Sequence, residues 1–290
     1  MDAAIRRSAT KKVINRKVAN SIILNTALVI LSVIMIFPIV WWVFATFTPV
    51  REIGALVFIP ANPTLDNYIQ GWNMSTRFTF ATFFRNSLTI GLINVAGAVL
   101  TSGFVAFGFA RVPFKFRNFW FSILLMTLML PGQVTIISQF ILYNNLGFID
   151  TYWPLILPQW FGGSAFFIFL VVQNIRSIPT ELDEAAKIDG AGIFRIYWQI
   201  IFPLIKAPLT AVAIFVFVWT WDDFLTQLLY ISSMERFTVG LALRMFVDQT
   251  EVQWGELLAM SLLSIVPSVI VFFTAQKHFV EGIATTGIKG

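Results

Sequence analysis

The chain has 290 residues, of which 57% are hydrophobic and only 12% are charged, and its mean hydropathy is +0.78. Soluble domains carry about 25% charged residues, so this composition predicts a membrane protein. The lack of cysteine and the single histidine, His278, argue against thiol catalysis, a Cys- or His-based metal site and a serine-type triad.

Six charge-poor segments approach or exceed the roughly 20 apolar residues that a membrane-spanning helix needs. In chain order, the expected spans cover about residues 22–44, 86–109, 118–141, 154–175, 207–229 and 257–276. The first is too long for a signal peptide and lacks a small-residue cleavage pattern, so we expect a retained helix. The pattern predicts an all-α, polytopic membrane protein with one six-helix transmembrane domain over residues 1–290.

The distribution of Lys and Arg sets the expected orientation. With the N-terminus inside, 15 of the 20 basic residues lie on the cytoplasmic side, and the other side keeps only Arg51, Arg77, Arg85, Arg236 and Arg244. We therefore expect the N-terminal tail, 1–20, and the C-terminal tail, 277–290, to be cytoplasmic. This asymmetry explains the isoelectric point near 9.6 without nucleic acid.

The third span contains Pro131 and Gly132, which predict a kink. Polar residues follow the kink, among them Gln133 and Gln139. These side chains either line a transport path or form hydrogen bonds between helices, as polar residues in membranes do.

The cytoplasmic stretch 177–206 is too long for a tight turn and has helical signals of its own. Thr180 with Asp183 resembles a capping arrangement, acidic residues favour the first turn, and Gly190 can end a helix in the left-handed conformation. The small residues Ala185 and Ala186 give this short helix a low-profile face that fits a groove of another protein. A helix lying on the membrane surface is an equally compatible interpretation.

The fifth span carries the sequence Trp219-Thr-Trp221-Asp222-Asp223. A carboxylate at mid-membrane costs about 2.5–3.5 kcal/mol on insertion scales, so intramembrane Asp residues are candidates for function. Carboxylates can accept hydrogen bonds from sugar hydroxyls and indoles can stack on sugar rings, which favours a transport path. The alternative is a role in helix packing or at the membrane interface, where Trp is also common.

Within the 177–206 stretch, Glu184-Ala185-Ala186, Gly190, Ile200 and Pro203 resemble the EAA signature of permease subunits in binding-protein-dependent ABC importers. The match departs at Phe202, where the pattern has Leu. Asp189 before Gly190-Ala191 resembles the form that this signature takes in carbohydrate permeases. Related carbohydrate permeases often carry Asn at the position of Asp222. The segment 146–155 and the ending 287–290 are similar to the maltose-type permease subunit.

The resemblance implies a six-span subunit that pairs with a second, homologous permease in a bacterial or archaeal cytoplasmic membrane. Two cytoplasmic ATPase subunits would hold ATP and Mg, and an extracytoplasmic solute-binding protein would deliver the sugar. The implied ATPase-coupling residues are Glu184, Ala185, Ala186, Asp189, Gly190 and Pro203. The candidates for the substrate path are Trp219, Trp221, Asp222, Asp223, Gln133 and Gln139.

Catalysis by the chain itself is not expected. Its one phosphate-loop look-alike, residues 282–289, has Ile288 between the second Gly and the Lys, and no Ser or Thr follows. We therefore expect neither an enzyme nor a bound cofactor or metal. The main alternative function is an ion-coupled secondary transporter with Asp222 and Asp223 as proton sites, which predicts paired internal repeats that the sequence lacks.

Overall fold

The computed structural model describes residues 2–53, 58–74, 77–247 and 252–286, with side chains over 20–53, 58–74, 77–247 and 252–274. These residues form helices and connecting turns, and the isolated bridge between Val247 and Val252 is the only β-pairing within them. The expectation of an all-α protein is confirmed. The ending 287–290, which resembles the maltose-type subunit, lies outside the described residues.

The described residues form a series of helices. They are α1 (Asp2–Thr46), α2 (Val50–Ile53), α3 (Asp66–Trp72), α4 (Phe80–Arg111), α5 (Arg117–Thr127), α6 (Gly132–Asn145), α7 (Trp153–Trp160), α8 (Ala165–Ser177), α9 (Glu181–Ile188), α10 (Ile193–Ile196), a π-helical turn (Tyr197–Ile201), α11 (Phe202–Leu204), α12 (Lys206–Asp222), α13 (Leu225–Tyr230), a 3₁₀ turn (Met234–Arg236), α14 (Val239–Arg244) and α15 (Trp254–Thr286).

Four helical segments are long and apolar enough to cross a membrane. They are Asn20–Thr46, Phe80–Arg111, Trp153–Ser177 and Trp254–Thr274. Two further pairs of helices reach that length only when taken together, and each pair is bent. The described chain thus offers four to six spans, and the count of six with its boundaries stays a prediction.

The bent pairs fall where the sequence predicts the third and fifth spans. The first, Arg117–Thr127 with Gly132–Asn145, bends by 99°, far more than the kink that Pro131 alone predicts. The second, Ile193–Leu204 with Lys206–Asp222, bends by 75°. The helix expected over 207–229 is also divided, because Asp223 adopts an extended conformation and α13 starts at Leu225.

The chain forms two compact units. The first comprises residues 1–70 and 253–262. Within it, the buried amide of Asn67 donates hydrogen bonds of 2.9 Å to the carbonyls of Thr46 and Thr48, and the Trp42 indole donates to Leu258 O at 3.1 Å. The side chains of residues 20–39 are exposed and mostly apolar, a surface suited to lipid tails.

The second unit comprises residues 71–252 and 263–290, and its core lies where α4, α8 and α12 pack together. Small residues on α4 allow this close packing, as is typical of membrane helices. A Cβ on Gly97 would lie 2.6 Å from the indole of Trp160, and a Cβ on Gly103 would lie 2.6 Å from the Tyr197 hydroxyl. The same unit holds both candidate sites.

Candidate functional site

Helix α9 begins after Thr180, whose carbonyl accepts hydrogen bonds from the N–H groups of Asp183 at 3.0 Å and Glu184 at 3.1 Å. The Thr180 side chain does not cap the helix, in contrast to the sequence expectation. At the other end Gly190 has φ +75°, its N–H bonds to Lys187 O, and the N–H of Ala191 reaches Ala186 O. These two bonds form a Schellman motif, which fixes the end of the helix by backbone contacts.

The two faces of α9 have different environments. Asp183 and Ala186 are buried, and Ala186 packs in the same core cluster as Ile175 and Ile196. Glu184 and Ala185 are exposed on the opposite face. The two alanines therefore do not share a low-profile surface, because Ala186 packs against its own chain and Ala185 is exposed.

Asp183 forms an ion pair that the sequence did not suggest. Its Oδ2 lies 2.9 Å from Nε of Arg111, the last residue of α4, and the two side chains are only 9% and 8% exposed. The Arg111 guanidinium also donates through Nη2 to Ile178 O at 2.5 Å. Through these contacts α4 holds both α9 and the segment that precedes it.

The chain leaves the α9 region through the π-helical turn Tyr197–Ile201. The ring of Tyr197 is buried, stacks on Phe104 at 4.4 Å and contacts Phe107 at 5.2 Å between ring centroids. Pro203 follows in α11 and is exposed. π-Helical turns often mark functional segments, and this one joins α9 to the bend before α12.

A cavity of about 240 Å³, lined by both polar and apolar side chains, lies among α4, α7, α12 and α13. Two of the predicted path residues, Trp219 and Asp223, line it. The other lining residues with polar side chains are Asn94, Gln159, Thr220, Thr226 and Gln227. The structure therefore joins part of the predicted path to polar residues from three other helices, α4, α7 and α13.

The remaining path candidates lie outside this cavity. Trp221 is buried, donates to Ser264 O at 2.9 Å and stacks on Phe217, so it packs helices together. Asp222 is exposed at the end of α12. Gln133 and Gln139 are exposed on α6.

Two residues of the cavity lining each carry a buried acceptor oxygen without a hydrogen-bond partner. Asn94 donates from Nδ2 to Leu155 O at 3.0 Å and to Thr220 Oγ1 at 3.3 Å, but its Oδ1 is unpaired. The Oε1 of Gln159 is also buried and unpaired. A buried Asn in an apolar span is a recognisable signal for Asn94, whereas Gln159 has no comparable signal in the sequence.

A second ion pair joins two connecting segments of the chain. Asp150 accepts the N–H groups of Ser232 at 2.9 Å and Ser233 at 2.8 Å, and its Oδ2 lies 2.7 Å from Nη1 of Arg236. Burial alone would raise the pKa of Asp150, but the hydrogen bonds from Ser233 and Ser232 and the charge of Arg236 lower it to about 2. This cluster ties the segment before α7 to the one after α13.

The comparisons with known proteins agree with this architecture. Residues 98–285 match the family model described as "binding-protein-dependent transport system inner membrane component". The chain resembles, with 89% of its length and 96% of the other chain covered, a solved structure of a bacterial ABC transporter involved in the import of the acidic polysaccharide alginate. The TM-score is 0.80 at 20% identity, so this likeness concerns the fold.

Relatives of known name cover nearly the whole chain. The galactooligosaccharides transport system permease protein GanQ of Bacillus subtilis is 33% identical over 91% of this chain and 93% of its own length. The arabinooligosaccharides transport system permease protein AraQ of Halalkalibacterium halodurans is 32% identical over 92% of this chain and 96% of its own. The sn-glycerol-3-phosphate transport system permease protein UgpE of Brucella melitensis is 29% identical over 94% and 99%.

Proposed function

The chain belongs to the family of binding-protein-dependent transport system inner membrane components and is a permease subunit of an ABC importer, and we propose that its cargo is a sugar or oligosaccharide. The names of two relatives at 33% and 32% identity, which transport galactooligosaccharides and arabinooligosaccharides, support this cargo. The alternative of an ion-coupled secondary transporter is not supported, because these relatives are ABC permeases.

We infer further that ATP and Mg bind to two separate ATPase subunits in the cytoplasm. A second permease would complete the pathway, and a solute-binding protein on the opposite side would deliver the cargo.

The charge asymmetry supports a multi-pass inner-membrane protein with both termini in the cytoplasm. A reporter fused after Lys289 should be active in the cytoplasm and one inserted near Asn67 outside; activity of both on one side would contradict this topology.

The observation that carries the coupling role is the division of α9 into a buried and an exposed face. Asp183 and Ala186 attach the helix to α4 and the core, while Glu184 and Ala185 face outward. A helix held in this way can transmit force from a bound ATPase to the spans. Packing through Ala186 and the Arg111 contact would carry that movement directly into α4.

We propose that ATP draws the two ATPases together, that each carries its bound α9 helix with it, and that the spans then switch from an inward-facing to an outward-facing pathway. ATP provides the bias because it binds the closed arrangement more tightly than the open one. The bends before α12 and between α5 and α6 are segments where such a change can be absorbed.

Co-purification with the ATPase subunits tests the docking face. Glu184→Lys and Ala185→Trp alter side chains that are exposed in the chain itself, so insertion and folding should persist while ATPase attachment falls. Glu235→Lys is the matched control, since Glu235 is also an exposed carboxylate but lies in the 3₁₀ turn, far along the chain from α9. Wild-type attachment in both α9 variants would refute the coupling role.

We also propose that the cavity lined by Asp223 and Trp219 is part of the sugar path. The polar side chains that form part of its lining, within an apolar helix bundle, support this assignment. Asp223→Asn should alter uptake with the complex intact. Asp222→Asn should have a smaller effect, because Asp222 is exposed outside the cavity. Unchanged uptake in both variants and in the double variant would favour a packing role for the two carboxylates.

A further inference from the structure

An open groove of about 450 Å³ follows one side of α5 in the second unit. The end of α4, the connection between α7 and α8 and the start of α8 complete its walls. The residues of α5 that line this α5 groove are Trp120, Ile123, Leu124 and Thr127. Their spacing of three and four residues places them on one face of the helix, so the groove runs along the helix axis.

Two basic residues lie at one end of the α5 groove. Arg117 is the first residue of α5 and lies on the same helix face as Trp120, three residues further on. It lines a second groove, which shares Phe114 with the first. The ammonium group of Lys115 lies 5.2 Å from the ring centroid of Phe116, which also lines this second groove. Two cations therefore lie where the apolar groove begins.

Acidic groups of the chain do not neutralise these two cations. Among the described residues that line either groove, none is Asp or Glu. In the part of the chain that the structure describes, the Arg–Asp ion pairs engage Arg111 and Arg236 instead. The charges of Lys115 and Arg117 are thus available to an anion from outside the chain.

The length of α5 matches the depth of one membrane leaflet. From Arg117 to Thr127 the helix rises about 15 Å, at 1.5 Å per residue. The hydrocarbon core of a bilayer is about 30 Å thick, so a helix of this length along the membrane normal reaches from the surface to the middle. An apolar groove of this depth with cations at its outer end has the dimensions of one phospholipid, with its phosphate outside and its chain inside.

The walls of the α5 groove are joined by aromatic contacts. Phe121 of α5 stacks on Phe169 of α8 at 6.4 Å between ring centroids, and the Arg176 guanidinium lies 4.9 Å from the Phe121 ring centroid. From α4, Phe109 contacts Phe121 at 5.4 Å and Phe114 at 5.7 Å. These contacts connect α5 to both neighbouring helices, so the groove is formed before a ligand arrives. A preformed site lowers the entropic cost of binding.

We propose that the α5 groove binds an acyl chain of an anionic phospholipid whose phosphate lies at Lys115 and Arg117. A zwitterionic lipid carries its own ammonium group, so the uncompensated cations favour an anionic headgroup. Free phosphate would meet the same cations but would bury no apolar chain. The site goes beyond the proposed transport function, because it requires the membrane spans but not the sugar. On the proposed topology, the lipid belongs to the cytoplasmic leaflet.

The natural lack of cysteine in the chain allows a test at the groove itself. Thr127→Cys places a single thiol at the exposed deep end of the groove, where bimane is attached as a fluorophore. The complex, with partner subunits made free of cysteine, is reconstituted in nanodiscs of phosphatidylcholine. Increasing fractions of phosphatidylglycerol or phosphatidylcholine with brominated acyl chains are added. Because bromine quenches bimane on contact, quenching reports a chain in the groove.

At Thr127→Cys, half-maximal quenching should require a roughly 25-fold lower mole fraction of brominated phosphatidylglycerol than of brominated phosphatidylcholine. Ser122→Cys is the matched control on the same helix, since Ser122 is exposed but does not line the groove. There the two lipids should quench equally, because the label contacts ordinary membrane lipid.

The cations are tested in the Thr127→Cys background. Lys115→Gln and Arg117→Gln should each lower the preference for phosphatidylglycerol roughly fivefold, and the double variant should abolish it. Lys206→Gln should leave it unchanged, since Lys206 is also an exposed basic residue at the start of a helix but lies outside both grooves. Inorganic phosphate, compared with chloride at equal ionic strength, should not relieve the quenching.

Four outcomes would overturn the inference. Equal quenching by both lipids at Thr127→Cys would make the groove ordinary lipid-facing surface. Quenching at Ser122→Cys but by neither lipid at Thr127→Cys would show that another subunit covers the groove. A preference that persists without Lys115 and Arg117 would remove the role of the cations. Relief of quenching by inorganic phosphate would identify a site for the free anion instead of the lipid.

Discussion

The part of the chain that the structure describes contains two Arg–Asp ion pairs whose surroundings differ. The Arg111–Asp183 pair is 8% and 9% exposed and joins α4 to α9, whereas the Arg236–Asp150 pair is 47% and 28% exposed and joins two connecting segments. Similar distances, 2.9 and 2.7 Å, thus occur in very different dielectric environments. Separating the partners should therefore have unequal consequences, since water can solvate the exposed ions but not the buried ones.

The difference in burial also affects how each ion pair can transmit movement between the elements that it joins. A buried charge without its partner is strongly unfavourable, so movements that separate α4 from α9 are disfavoured. The Asp150 cluster keeps two backbone hydrogen bonds from Ser232 and Ser233 even when Arg236 moves away. We therefore expect the first pair to act as a rigid connection and the second as an adaptable one.

The largest expected effect follows from breaking the buried pair. Asp183→Asn leaves the Arg111 guanidinium buried beside a neutral amide, which should destabilise the folded subunit by about 3–5 kcal/mol. Thermal denaturation of the detergent-solubilised complex measures the loss. The double variant Arg111→Met, Asp183→Leu removes both charges and should recover much of the stability.

The same two variants separate stability from coupling. The double variant should remain folded but show ATP hydrolysis that responds less to the binding protein, because packing alone would then hold α9 to α4. If its transport and stimulated hydrolysis equal those of the wild type, the ion pair is a structural contact without a part in coupling.

The next effect concerns the end of α9. Gly190→Val places a β-branched residue at φ +75°, a conformation that costs about 1–2 kcal/mol for residues with a Cβ. We expect weaker attachment of the ATPases in a co-purification assay. Gly192→Val is a close control, because Gly192 has φ −72° and, like Gly190, open space around the position of a Cβ. Equal losses in both variants would show that backbone conformation is not the cause.

Local features of the α9 region could be predicted from sequence, and long-range ones could not. The turn at Gly190 depends on neighbouring residues, so its left-handed conformation follows from the residue type and its position after the helix. The partner of Asp183 is far away in sequence, and Arg111 carries only a topological signal as a charge at the end of a span. Nothing local in the sequence distinguishes it from the other basic residues that flank spans.

The lining of the cavity could likewise be predicted from the sequence only in part. The position of Asp223 in an apolar segment identifies it as a candidate for the substrate path. The neighbouring Trp221 is also a residue type that can contact a sugar, but its indole instead donates a hydrogen bond to Ser264 O. Which indole faces the cavity depends on how α12 is rotated against α4 and α15, a property of packing. The 99° bend between α5 and α6 likewise exceeds what Pro131 predicts, because the turn at residues 128–130 adds to it.

A smaller effect on stability, which depends on pH, is expected for replacing Asp150, the carboxylate of the exposed ion pair. The pKa of Asp150 is lowered to about 2 from 3.8, so the folded state favours its ionised form. The stability it contributes is present above about pH 4 and is lost as the pH falls through about 2. Asp150→Asn should therefore be less stable than the wild type at pH 6, and melting curves of the two should converge towards pH 2–3. A constant difference across this range would contradict the assigned cause.

The smallest effect should come from Arg236→Gln, the counterpart of breaking the buried pair. Arg236 is 47% exposed, so its charge is solvated in both states, and exposed ion pairs contribute about 0–1 kcal/mol. Asp150 would keep its hydrogen bonds from Ser232 and Ser233, so the two connecting segments should remain joined. Raising the salt concentration should reduce the small difference between wild type and variant further, because salt screens exposed charges. If the melting temperature instead fell as far as in Asp183→Asn, burial would not be what separates the two ion pairs, and the rigid connection assigned to Arg111 would lose its physical basis.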